Sequence, residues 1–97
     1  MTDSDPHLDV RDNPARSRFE LWRGDEMVGL ADYICRDGVV AIPHTEIDPT
    51  HGGQGYGSAM VRAVLDELRT KQQHVIPQCS FVAAFIARNP EYQDLVA

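Results

Sequence analysis

From Phe19 onward the chain alternates. Phe19 and Leu21 interleave with Glu20 and Trp22 at the two-residue period of a strand, and Gly24-Asp25 then reads as a turn. A second, longer strand is predicted from Glu26 to Cys35, carrying Met27, Val28, Leu30, Ala31, Tyr33 and Ile34. Asp37-Gly38 between two apolar runs is a hairpin signal. A third strand starts at Val39, is interrupted by Pro43 and continues to Ile47. Asp48-Pro49 breaks it.

The period then lengthens to that of a helix, predicted from about Gly57 to Lys71. Met60, Val61, Val64, Leu65 and Leu68 form one apolar stripe, while Arg62, Asp66, Glu67, Arg69 and Thr70 face water. His74-Val75-Ile76-Pro77 reads as a short buried strand. Ser80 is placed to cap a second helix from Phe81 to Arg88, with Phe81, Val82, Phe85 and Ile86 turned inward. Asn89-Pro90 stops it, and the terminal segment is anchored by Tyr92 and Leu95. Residues 1–16 hold almost no apolar content and read as a disordered or loosely attached tail, so the domain is expected at 17–97. The predicted fold class is α+β, in the order β-β-β-α-β-α with an antiparallel meander first.

Composition narrows the function. A net charge of −6 without a Lys/Arg cluster argues against a nucleic-acid surface. No apolar run approaches the length of a membrane span and no signal-peptide pattern opens the chain, so the expected compartment is the cytoplasm with no membrane partner. There, Cys35 and Cys79 are expected as free thiols.

The segment richest in chemistry is His51-Gly52-Gly53-Gln54-Gly55-Tyr56-Gly57-Ser58, which runs directly into the main helix. Glycines let successive backbone N–H groups converge on one point. The helix start adds its own unpaired N–H groups and positive dipole end, and together they suit a phosphate or pyrophosphate. A Walker loop needs a Lys after its last Gly, and no Lys follows any glycine here. A dinucleotide fold needs far more chain after the loop than remains. The alternative is a flexible turn that caps the helix.

This order of elements, with a pyrophosphate loop between the third strand and the main helix, resembles the GNAT superfamily of acyl-CoA-dependent N-acyltransferases. Its signature, Gln/Arg-x-x-Gly-x-Gly/Ala, is matched in its second half by Gly55-Tyr56-Gly57, with Gly52 standing where Gln or Arg is usual. The length, and the order of His44-Thr45-Glu46, Pro77-Gln78-Cys79 and Asn89-Pro90-Glu91-Tyr92, are similar to the compact single-domain (YjdJ-type) branch. The resemblance covers about residues 17–96. It implies a sheet splayed between the strands Val39–Ile47 and His74–Cys79, with the pantetheine arm of acetyl-CoA between them. It also implies cofactor contacts at Ile47, Gly52, Gly53, Gln54, Gly55, Tyr56, Gly57 and Ser58. Pro43 fits either a bulge at that splay or a plain irregularity.

Acyl transfer to an amine needs a base, a polarised thioester carbonyl and a proton for the departing thiolate. His44 and Glu46 lie two apart on one strand and emerge on one face, so either serves as base; otherwise they are a packed histidine and a surface carboxylate. Cys79, just before a helix, fits an acyl-cysteine intermediate or a small buried apolar residue. Cys35 is expected in the core. Tyr92 fits a proton donor to the thiolate or packing against the sheet. His44, Glu46, His51, His74 and Cys79 lack the close paired spacing of a zinc site, so no metal is expected. The first functional reading is an acetyl-CoA-dependent N-acyltransferase acting on an amine, small molecule or protein. The alternatives are a non-catalytic acyl-CoA-binding module and a thiol or acyl shuttle through Cys79. Trp22 is placed at a sheet edge, and the oligomeric state is left open.

Overall fold

The computed structural model describes residues 8–97. Five strands form one sheet in the order of the sequence: β1 (Leu8–Asn13), β2 (Arg18–Arg23), β3 (Glu26–Arg36), β4 (Val39–Ile47) and β5 (His74–Ile76). The first four are an antiparallel meander, and β5 joins β4 in parallel after the helix α1 (Tyr56–Thr70). A second helix, α2 (Ser80–Arg88), and a 3₁₀ segment, Pro90–Leu95, close the chain. The α+β class and the predicted order hold, with one strand added at the front.

That added strand corrects the reading of residues 8–16 as a loose tail; residues 1–7 of that tail lie outside the described residues. β1 pairs with β2 along its whole length, from Leu8 opposite Arg23 to Asn13 opposite Arg18, around a 3₁₀ turn at Pro14–Arg16. Its apolar content is only Leu8 and Val10, too little to register as a period. Side chains added by the fold secure it. The Tyr33 hydroxyl donates to Asp12 Oδ1 at 2.6 Å, and Lys71 Nζ lies 3.5 Å from Asp12 Oδ2. Trp22 is therefore one strand in from the edge, with the Arg11 guanidinium 4.8 Å above its ring.

α1 and α2 pack on the same face. Met60, Leu65 and Leu68 have no measurable exposure and meet Phe19, Leu21, Val28, Ile42, Val75 and Val82 in a single core. Full burial of each such side chain contributes about 1.5–3 kcal/mol, whereas exposed pairs such as Lys71–Glu67 at 3.1 Å contribute about 0–1 kcal/mol. The apolar stripe therefore attaches the helix. Two expectations on the helices are corrected. Arg62 and Asp66 do not simply face water, because both bond to the Tyr92 hydroxyl. Phe81 is not turned inward but is 39% exposed, since it stands on the first turn of α2 over the start of α1.

The opposite face of the sheet carries no helix among the described residues. At its centre Glu20, only 7% exposed, accepts from Asn13 Nδ2 at 3.0 Å, Arg18 Nε at 2.9 Å and Trp22 Nε1 at 3.1 Å. The Asn13 bond leads in holding the carboxyl below its usual value, burial opposes it, and Arg18 and Trp22 add to the lowering. A carboxylate whose pKa is lowered by folding stabilises the fold fully above its unfolded pKa, and that contribution disappears as pH falls through the folded value. Glu20→Gln is therefore predicted to lose about 1–3 kcal/mol near neutral pH. Thermal melts followed by the fluorescence of Trp22, the one tryptophan, check this: the gap between native and variant midpoints should close as the solution is taken below pH 4.

Candidate active site

β4 leads into the glycine loop through a tightly bonded corner. Asp48 donates its N–H to the Val28 carbonyl at 2.8 Å, and its Oδ1 accepts from Thr50 N at 3.0 Å and Thr50 Oγ1 at 2.8 Å. The backbone and side-chain bonds from Thr50 hold the Asp48 carboxyl below the usual range. A 3₁₀ turn, Pro49–His51, ends where Gly52 N–H donates to the Pro49 carbonyl at 3.2 Å. Gly53 and Gly55 then both take φ 77°, a left-handed conformation that side chains disfavour. The first helical bond runs from Ala59 N–H to the Gly55 carbonyl at 3.1 Å, with no side chain capping the helix. Among the described residues, no protein acceptor meets the N–H groups of Gly53 through Ser58. Six unanswered donors at a helix start fit a pyrophosphate.

Gly57 has a separate role. A Cβ there would lie 2.9 Å from the Phe81 ring, so glycine is what lets that ring rest on the helix start. The ring forms one wall of a cleft of about 450 Å³, lined also by Thr45, Ile47, His51, Gly52, Gly53, Gly55, Tyr56, Gly57 and Ser58.

The facing of β4 is set at Pro43. Asp32 of β3 pairs with His44 and Ile34 with Ala41, so Ile42 and Pro43 together lie opposite the single residue Tyr33. This bulge shifts the alternation by one. Val40 and Ile42 face the core before it, and Thr45 and Ile47 face the cleft after it. β5 follows β4 only from Val39–His74 to Ala41–Ile76, and Cys79 N–H reaches the Ile42 carbonyl at 2.8 Å. That bond is the last backbone-to-backbone bond between the two segments, at the edge of the bulge. Beyond it β4 runs on without β5, and the sheet is splayed.

Cys79 stands where the two strands part. It is the N-cap of α2, a position expected for Ser80; the helix begins one residue earlier because Cys79 is still extended, at φ −75°, ψ 128°. Its Sγ lies 3.4 Å from Thr45 Oγ1. Burial pushes the thiol up, but the Thr45 hydroxyl and the backbone N–H groups of Val82, Phe81 and Thr45 outweigh it and bring the pKa below the ordinary value. Cys35, expected in the core, is exposed at the end of β3, with Gln73 Nε2 3.8 Å from its sulfur. Both cysteines are free.

His44 and Glu46 emerge together, as their spacing requires, but on the helix-free face. His44 Nε2 lies 2.7 Å from Glu46 Oε2, and both side chains are more than half exposed. That bond raises the His44 pKa above its usual value, with Asp32 and Cys79 adding smaller charge effects in the same direction. Cys79 thus reaches the cleft through Thr45, while the histidine–carboxylate pair stands on the opposite face of β4.

The remaining candidates divide. Ile47, Gly52, Gly53, Gly55, Tyr56, Gly57 and Ser58 line the cleft, whereas Gln54 lines an adjoining groove between β1, β2 and α1 that shares Gly55 and Ser58 with it. Tyr92 lines neither, although its hydroxyl bonds to Arg62 and Asp66, which line that groove. It is buried against Phe85 of α2, ring centroids 6.0 Å apart, rather than on the sheet, and its hydroxyl donates to Asp66 Oδ1 at 2.7 Å. Burial and the Asp66 carboxylate raise its pKa. His51 meets Glu26 at 3.3 Å and lies near Asp48; these three donor atoms fall within 4.8 Å of one another, a grouping that includes none of the other metal candidates. Thr45 and Phe81 went unnoticed as site residues. Thr45 carries a signal in its place between His44 and Glu46, but only the bulge decides which of the three faces the cleft.

The meander, the crossover helix, the splay and the open glycine loop define a GNAT-like fold. The chain belongs to the GCN5-related N-acetyltransferase family, whose profile matches residues 18–95. Its fold is similar to the solution structure of a GCN5-like protein from Staphylococcus aureus, with a TM-score of 0.69 and 23% identity over 96% of this chain and 91% of that one. It is also similar to the ribosomal-protein-S18-alanine N-acetyltransferase of Escherichia coli, with a TM-score of 0.58 and 17% identity over 92% of this chain; the match spans 54% of that enzyme. No curated protein matches in sequence. No helix among the described residues is long and apolar enough to cross a membrane.

The Cys79 environment yields a prediction. In a Cys35→Ser background, alkylation of Cys79 followed against pH should show a thiol titrating below the ordinary cysteine value. Thr45→Val, which removes the hydroxyl, should move that titration upward.

Proposed function

We propose that the protein transfers an acetyl group from acetyl-CoA to an amine, with Cys79 at the point of transfer. The observation that carries this reading is one continuous cleft. It opens on the unanswered N–H groups of Gly53–Ser58 and runs along the free edge of β4 to Thr45, whose hydroxyl contacts the sulfur of Cys79. A pyrophosphate on the loop would leave the pantetheine arm to lie along β4 beyond Pro43, bringing the thioester to Cys79. The acceptor then approaches from the helix-free face, where His44 and Glu46 stand.

In direct transfer, the His44–Glu46 pair takes a proton from the incoming ammonium. The amine nitrogen attacks the thioester carbonyl, the carbon–sulfur bond breaks, and the proton the nitrogen then sheds passes to the departing coenzyme A thiolate, directly or through water. A second route is favoured by the lowered pKa of Cys79. Its thiolate attacks the thioester and expels coenzyme A thiolate; the amine then attacks the acyl-cysteine and releases the Cys79 thiolate. Both routes use a neutral amine, so the raised pKa of His44 predicts a rate that grows as pH rises through it. Tyr92 has no part in either, because its hydroxyl is committed to Asp66 on α1.

Incubation with acetyl-CoA, with intact-mass analysis and thiol release measured across a panel of amines, tests the reading. Amine-dependent release of free coenzyme A is expected. An acetyl group trapped on Cys79 without amine, together with activity lost in Cys79→Ala, selects the acyl-enzyme route; activity that survives selects direct transfer. In either case His44→Ala or Glu46→Gln should lower kcat by about 10²-fold or more. Saturable binding with no thiol release from any amine would instead make the protein an acyl-CoA-binding module.

A further inference from the structure

We propose that two copies of this chain associate through the outer edge of β1, joining their sheets antiparallel about a twofold axis at Val10. Among the described residues no strand pairs with that edge, and an edge strand offers a row of unpaired N–H and C=O groups to a second strand.

The register follows from charge. Only alternate residues of β1 direct their backbone groups away from β2, so in a symmetric antiparallel pair a residue faces one of its own parity. The twofold axis must then fall on a residue of β1. Centred on Asp9 it sets Asp9 against the partner's Asp9, and centred on Arg11 it sets two guanidinium groups together. Centred on Val10 it sets each Asp9 opposite Arg11 of the partner subunit, twice, and opposite charges directly across a strand pair are favourable. Within one chain these two side chains already bond at 2.9 Å on the helix-free face, with exposures of 60% and 52%, so both are accessible to a partner.

On the helix face of the same edge, Val10 and Leu8 stand beside an open groove of about 440 Å³ lined also by Leu21, Ala59 and Ala63. An axis at Val10 sets the two Val10 side chains against each other there, with Leu8 opposite Asp12 of the partner subunit. The acetyl-transfer reading does not rest on this contact, since Asp9, Val10 and Arg11 line no part of the cleft, although the groove beside β1 shares Gly55 and Ser58 with it.

Sedimentation equilibrium from low micromolar to millimolar protein should show a concentration-dependent dimer. Asp9→Arg alone and Arg11→Asp alone should each weaken association by about tenfold or more. The double variant, which restores opposite charges across the axis, should recover it. Hydrogen exchange on the native chain is a readout that needs no variant, with outward amides of β1 gaining protection as concentration rises. A monomer throughout, a dimer indifferent to the single reversals, or concentration-dependent protection elsewhere than β1 overturns the proposal.

Discussion

The bulge of Ile42 and Pro43 is the feature on which the site depends. The pairing of β4 with β5 does not extend past it. The bulge exchanges the two faces of β4 beyond it. Without that exchange, His44 and Glu46 would follow Val40 and Ile42 into the helix side, and Thr45 would face outward. With it, the cleft is walled by a small hydroxyl and an apolar side chain, and the titratable pair occupies the open face. The bulge therefore assigns chemistry to the two faces of β4 just where the sheet opens.

The loop and Phe81 build on that opening. Two left-handed glycines expose a run of backbone donors, and a third lets an aromatic ring rest on the helix start. None of this contributes to stability in the manner of the core. The fold is held by the α1 stripe against the sheet and by the Glu20 network behind it, which leaves the loop free to keep its donors unanswered. Hydrogen-bond capacity left unused in a secured frame is what a ligand site requires.

Most of the fold was legible because its signals are local. The Asp37-Gly38 turn, the alternation of Phe19 and Leu21 and the 3.6-residue stripe of α1 each reside in a few neighbouring residues. β1 was not legible, since it holds two apolar residues among charges and is recognised only through Tyr33 and Lys71, distant in sequence. The error over Trp22 followed from it. The loop glycines were legible from their spacing, and the proximity of His44 to Glu46 from strand parity. The facing of that pair was not, because a bulge is settled by register across two strands. Tyr92 was readable as a chemical group but not in its partner, Asp66, which lies 26 residues away. Cys35 was misread because an apolar neighbourhood in sequence ended at a solvent-facing strand terminus.

The central claim is that the unanswered N–H groups of the loop and the free edge of β4 receive one ligand. Titration of isotopically labelled protein with acetyl-CoA, followed by amide chemical shifts, tests it most directly. Saturable shifts are expected at Gly53 through Ser58 and at Thr45 and Cys79, with β1 and β2 unchanged. Shifts confined to other surfaces, or none at millimolar ligand, would contradict it.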